Sequence, residues 1–152
     1  MDSMLIKFFL LFLFLYNNSV FAESYIKNLE IINDTGKLVQ YHVEIAKTNE
    51  EQTKGLMHRL NLKKNGGMLF LFDNEKKASF WMKDTLIALD IIFINKNGSI
   101  NKIHNNTRPK SLKRIKSKGQ VLAVLEINAG EAKKNNIGYR SFIDLEKFIS
   151  SY

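Results

Sequence analysis

A chain of 152 residues, 45% hydrophobic and 25% charged, has the length of one globular domain with a single core. The absence of cysteine excludes a disulfide-stapled scaffold and a lipid-anchored lipoprotein. The excess of 23 Lys and Arg over 15 Asp and Glu, a net charge of +8, directs attention to anionic partners: lipid headgroups, envelope polymers or nucleic acid.

Residues 1–22 read as a signal peptide and not as part of the fold. Lys7 precedes an apolar run from Phe8 to Tyr16, then polar Asn17-Asn18-Ser19, then Val20-Phe21-Ala22 with small residues at the cleavage positions. As a helix the apolar run spans only ~14 Å, against the ~30 Å of a bilayer core. Cleavage after Ala22 leaves residues 23–152 as one β-rich domain, periplasmic or secreted, with no stable membrane span. An uncleaved anchor is the alternative. The leader carries one acid and one base, Asp2 and Lys7, so its loss leaves the net charge at +8.

Tyr25–Ile32 and Lys37–Ala46 are predicted strands, joined by the turn residues Asn33-Asp34-Thr35-Gly36 into a hairpin. Val39, Tyr41, Val43 and Ile45 alternate with polar residues, as in a half-buried strand. Thr48 and Glu51 form a capping box that opens a short helix from Asn49 to about Met57. Asn61–Gly67 is a loop.

Gly66–Ile94 is the densest apolar stretch outside the leader and holds the only Trp, Trp81. Three strands are predicted in it, Met68–Phe72, Ala78–Met82 and Ala88–Ile94, separated by Asp73–Lys76 and Lys83–Thr85. Met68–Phe72 is apolar on both faces and requires cover on both sides. In Ala88–Ile94, Asp90 shares a face with Ala88 and Ile92, so its carboxylate needs a cation or several N–H donors. Arg59 is the expected partner, through a two-pronged guanidinium grip, with Lys83 second. Asn95-Lys96-Asn97-Gly98 is a hairpin turn into a return strand, Ser99–His104. Asn105–Gly119 is a loop with six bases and no acid: Arg108, Lys110, Lys113, Arg114, Lys116 and Lys118. Val121–Ile127 is a strand, and a second short helix starts at Ala129-Gly130-Glu131 and ends near Asn136. Tyr139–Tyr152 fits helix or strand. About seven strands, two short helices and regular turns make a mostly β, antiparallel barrel or sandwich.

The three His have no ligand spacing, so neither a metal site nor a cofactor is expected. There is no nucleophile elbow, phosphate loop or dinucleotide fingerprint. Asp90 and Glu126, carboxylates on otherwise apolar strands, match the acid–base pair of a glycoside hydrolase, or else each is held structurally. In Phe80-Trp81-Met82-Lys83, Trp81 and Lys83 share a strand face, suited to a ligand with an apolar face and an anionic or hydroxyl group. A core Trp beside a solvated Lys is the plainer reading. The basic residues 108–118 suit anionic envelope polymers. Of the 23 basic residues 19 are Lys, so A- and T-rich codons account for the charge equally well.

Gly55-Leu56-Met57 with Arg59, Gly67-Met68-Leu69-Phe70, Phe80-Trp81-Met82-Lys83 with Thr85, Leu89-Asp90 and Val124-Leu125-Glu126, in this order, resemble the domain of unknown function 192 family. The resemblance runs from Val43 to about Gly138. It departs at Asp84, at Ala88 and at Gly138-Tyr139-Arg140. It implies a small, often exported, β-barrel-like protein with short helices and no established activity. The combined expectation is a small binding or accessory module whose polar site is built from Arg59, Trp81, Lys83, Asp84, Thr85 and Asp90. A hydrolase of cell-envelope carbohydrate and a basic surface for anionic polymers are the alternatives. The leader reading predicts an exported protein whose intact mass starts at Glu23; a membrane-bound product retaining residues 1–22 contradicts it.

Overall fold

The structure, a computed structural model, describes residues 26–151. The expected leader and the start of the first strand at Tyr25 lie outside the described residues. The elements are β1 (Ile26–Ile32), β2 (Leu38–Ala46), α1 (Asn49–Lys54), β3 (Gly66–Phe80), β4 (Leu89–Ile94), β5 (Ile100–His104), β6 (Ile115–Asn128), α2 (Glu131–Lys134) and α3 (Leu145–Ser150). Among the described residues the strands form one six-stranded sheet in the order β1-β2-β3-β6-β4-β5. It is not closed into a barrel. Every neighbouring pair is antiparallel except β2 and β3, which run parallel. Parallel neighbours need a crossover connection, and here α1 and the loop after it make it.

The expected count of about seven strands comes down to six because Met68–Phe72 and Ala78–Met82 are parts of one strand. The polar residues between them do not end β3. They carry it through exposed register shifts against β6, between Leu71 and Lys76 and again between Lys77 and Ser79. The expected loop at 105–119 is corrected in the same way. Its last residues are strand, because Ile115 and Lys116 pair with Phe80 and Ser79. An exposed face at Lys116, Lys118 and Gln120 lets this half of β6 be polar without ceasing to be a strand.

β4 is buried at every position. Its alternate side chains enter two separate cores. Ile92 and Ile94 pack with Leu69, Leu71, Leu125 and Ile127 on one face, under α2, Ile143 and α3. Leu89, Ile91 and Phe93 pack with Met68, Phe70 and Val124 on the other, under Leu56, Leu62 and the Phe80–Ile87 segment. The two-sided cover that the apolar run demanded is therefore present. The ambiguous C-terminal segment does both things predicted for it. Phe142 bridges to Ile32 and Ser99, and α3 follows. Gly98, with φ +84°, turns β4 into β5 where any Cβ would strike the Ile143 carbonyl oxygen.

Asp90 lies on the first face and is fully buried. Its Oδ1 accepts the Asn106 N–H at 2.8 Å and its Oδ2 accepts the Ala132 N–H at 3.0 Å. The expected Arg59 partner is corrected: Arg59 pairs with Glu44 at 2.6 Å, with its own side chain 42% exposed. Backbone donors reach Asp90 because β4 brings it between the segment leaving β5 and the first turn of α2. They satisfy the carboxylate without a second buried charge. Asp90→Asn turns an amide NH2 towards a backbone donor and should cost roughly 2–3 kcal/mol. Arg59→Ala breaks a half-exposed pair and should cost under ~1 kcal/mol. Urea denaturation of the two variants checks the order; equal losses contradict it.

Candidate functional site

The register that joins the end of β3 to the start of β6 also builds a groove. Ser79 faces Lys116 and Phe80 faces Ile115, and one step further Trp81 meets Arg114. The Arg114 guanidinium carbon stands 3.9 Å from the Trp81 ring centre and Lys83 Nζ 5.4 Å from it. Both are cation–π distances. The groove holds about 510 Å³, with Phe70, Phe72, Phe80 and Trp81 as its apolar floor. Phe80 sets the floor edge-on, 4.8 Å from Phe70 and 6.0 Å from Phe93 between ring centres. Lys76, Lys77 and Arg114 supply the charge, and among the described lining residues there is no carboxylate. Lys76 Nζ lies 3.9 Å from the Phe72 ring centre.

The opposite wall is α1, through Asn49, Gln52 and Thr53. Its position is set by the predicted capping box, in which Thr48 Oγ1 accepts the Glu51 N–H and Glu51 Oε2 accepts the Thr48 N–H. The Thr48 and Lys47 N–H groups, both donating to Glu51 Oε2, hold the Glu51 carboxyl below its ordinary range. Gln52 ties the helix to the sheet, donating from Nε2 to the carbonyls of Ala46, Lys47 and Leu71.

The structure gathers part of the predicted site and disperses the rest. Trp81 and Lys83 come together, as expected, although Trp81 lies just past the end of β3. Lys83, Asp84 and Thr85 form a turn. Asp84 has φ +52° and its carbonyl accepts the His58 N–H at 2.8 Å. Thr85 is buried; its Oγ1 donates to the Lys83 carbonyl and its own carbonyl accepts the Lys110 N–H. This turn binds two loops together and presents only Lys83 and Asp84 to solvent. Arg59 lines a different cleft, of about 360 Å³, with His42, Glu44 and Lys63. Asp90 is sealed under the first face. Lys76, Lys77, Phe70 and Phe72 were not foreseen at the site. Their signal was a Lys pair just after an aromatic run, which reads from sequence as a strand break.

The carboxylate pair does not assemble. Asp90 stands opposite Ile127, and Glu126 opposite Ile91, so the two side chains leave opposite faces of the sheet. They cannot flank one glycosidic bond. Glu126 is 5% exposed, between Met68 and Ile91 in register. Among the described residues nothing bonds its carboxyl, and burial alone pushes its pKa up to about 8. Among the described residues no cluster of three or more His, Asp or Glu is arranged to hold a metal ion. No helix among them is long and apolar enough to cross a membrane.

Fold and groove together define a small mixed-sheet protein with an aromatic, cationic groove. The chain belongs to the family described as an uncharacterized ACR, domain of unknown function 192, whose model matches residues 30–143. It is similar to a crystal structure of a candidate transcription regulator from Sinorhizobium meliloti 1021. The identity is 32% over 80% of this chain and 94% of that one, with a TM-score of 0.77. It is also similar to a protein of unknown function from Novosphingobium aromaticivorans DSM 12444. That identity is 35% over 78% of this chain and 84% of that one, with a TM-score of 0.75. Comparison with curated proteins finds no match.

Glu126 makes stability depend on pH. With its pKa raised from 4.5 to about 8 on folding, the folded state binds more protons than the unfolded state across that window. Its contribution is fully present below the unfolded value and is lost as pH climbs to the folded one. Glu126→Gln should flatten the fall in stability between those two values, read from thermal melts at stepped pH. An unchanged slope contradicts the assignment.

Proposed function

We propose that this chain is a small exported binding module that takes an anionic ligand with an apolar face in the groove beside Trp81. The observation that carries the reading is the composition of that groove: four aromatic rings, three cations and, among the described lining residues, no carboxylate. The partly exposed rings of Phe80 and Trp81 offer an apolar surface, and Arg114 offers a planar fork to a carboxylate or phosphate. Asn49 and Thr53 add neutral hydrogen-bonding groups for hydroxyls. Export rests on the leader pattern of residues 1–22 and on a domain that dispenses with cysteine. Of the sequence candidates, Trp81 and Lys83 belong to this site, Arg114 joins it from the basic run, and Arg59 and Asp90 serve elsewhere.

The relative described as a candidate transcription regulator raises duplex DNA as the anion. Among the described residues the helices have 6, 4 and 6 residues, too short to lay a recognition helix in a major groove. A small or single-chain anion suits the groove better.

Trp81 is the only tryptophan, so its fluorescence reports the groove directly. Titration with galacturonic acid at low salt should quench or shift the emission saturably. Arg114→Ala should weaken binding at least about tenfold, in line with a partly desolvated charge pair, while Arg59→Ala should leave it unchanged. No saturable change, or equal binding by the Arg114 variant, overturns the reading.

A further inference from the structure

We propose that the Trp81 groove is one end of a track for a linear acidic polysaccharide, whose other end is a second groove beside Tyr139. This rests on the binding proposed at Trp81 and extends it to a polymer.

The second groove holds about 570 Å³ and is lined by Ile103, Asn105, Asn106, Lys133 and Tyr139 among others, again with no carboxylate among the described lining residues. Tyr139 is 58% exposed, and Lys118 Nζ lies 5.3 Å from its ring centre. It therefore repeats the pairing of ring and cation that Trp81 makes with Arg114. Its two walls are the segment leaving β5 and the start of α2. The buried Asp90 carboxylate joins them by accepting the Asn106 and Ala132 N–H groups. The wall is thus held by a buried charge and is not a gap between loose loops.

The two grooves are connected by the first residues of β6. Lys116 and Lys118 stand at alternate positions on one side of the strand, about 6.6 Å apart, and Arg114 immediately precedes it. All three are exposed. The neighbouring edge strand braces this run: Lys102 Nζ donates to the Lys116 carbonyl at 2.6 Å and the Lys118 N–H donates to Asn101 Oδ1 at 2.8 Å. Arg114 and Lys118 are therefore separated by ~13 Å of extended backbone. A ligand that reaches both must be a chain with recurring negative charge.

Ring contacts choose between a polysaccharide and a nucleic acid. Single-stranded nucleic acids bind by stacking successive bases on aromatic side chains, which takes up a free face of each ring. Here Trp81, Phe72 and Tyr139 each carry a cation over the ring. The positions beside them are amides and hydroxyls: Asn49, Gln52 and Thr53 at one end, Asn105 and Asn106 at the other. That set suits charges and hydroxyls carried by every unit of a chain.

The test titrates the purified exported protein, at low salt, with oligogalacturonates graded from monomer to octamer. Wild type should tighten at least tenfold once the oligomer spans both grooves, because the second contact becomes intramolecular. Lys118→Gln and Tyr139→Ala should bind the monomer as wild type does and lose that gain with length. Monomer binding with no gain, or a gain that survives both substitutions, overturns the track and leaves the Trp81 site standing. No binding at any length overturns both. Tighter binding of oligo(dT) than of the octamer, at matched salt, assigns the track to nucleic acid and overturns the polysaccharide.

Discussion

Everything in this molecule depends on a sheet that is apolar on both faces. β4 exposes no residue, and β6 beside it and β3 beyond carry large apolar side chains up and down. Such strands are stable only with two covers. The C-terminal third of the chain provides one, through α2, Ile143 and α3. The loop after α1 and the segment from Phe80 to Ile87 provide the other. Polar groups that end up beneath either cover are then forced into particular arrangements.

Asp90 and Glu126 show two outcomes of that constraint on adjacent strands. Asp90 meets the ends of two segments whose backbone N–H groups point at it, and it keeps both oxygens bonded. Glu126 faces Met68 and Ile91, which can donate nothing, so burial acts on it unopposed. The difference lies wholly in which cover each carboxylate looks into. Asp90 thereby becomes a joint of the fold, and Glu126 a group whose protonation the fold controls.

The cations divide in a similar way. Arg59 is used up by Glu44 across a cleft of its own. Arg114 lies against the Trp81 ring, in a groove that holds no carboxylate among its described lining residues. A guanidinium flat on an indole keeps its N–H edge available to a ligand. The polar, bulged ends of β3 and β6 thus carry the exposed cations and form the groove, and their buried middles carry the stability.

Much was legible in the residues alone. The hairpin of β1 and β2, the capping box at Thr48, the turn at Gly98 and the burial of Asp90 follow from local pattern, because alternation, caps and turns act over a few residues. The pairing of Trp81 with Lys83 was legible for the same reason. Whole strands were hidden where polar residues mimic a break, at 73–77 and 115–119, since an exposed strand has no apolar alternation to betray it. Partners were hidden too. Arg59 with Glu44, Asp90 with two backbone N–H groups, and Arg114 with Trp81 are separated along the chain and joined only by strand order and register. Sequence by itself determined the family, the β-rich class and which residues had to be buried, because those follow from composition and period. Only the tertiary structure decided which charges meet, because a one-residue shift of register sends every side chain to the opposite face.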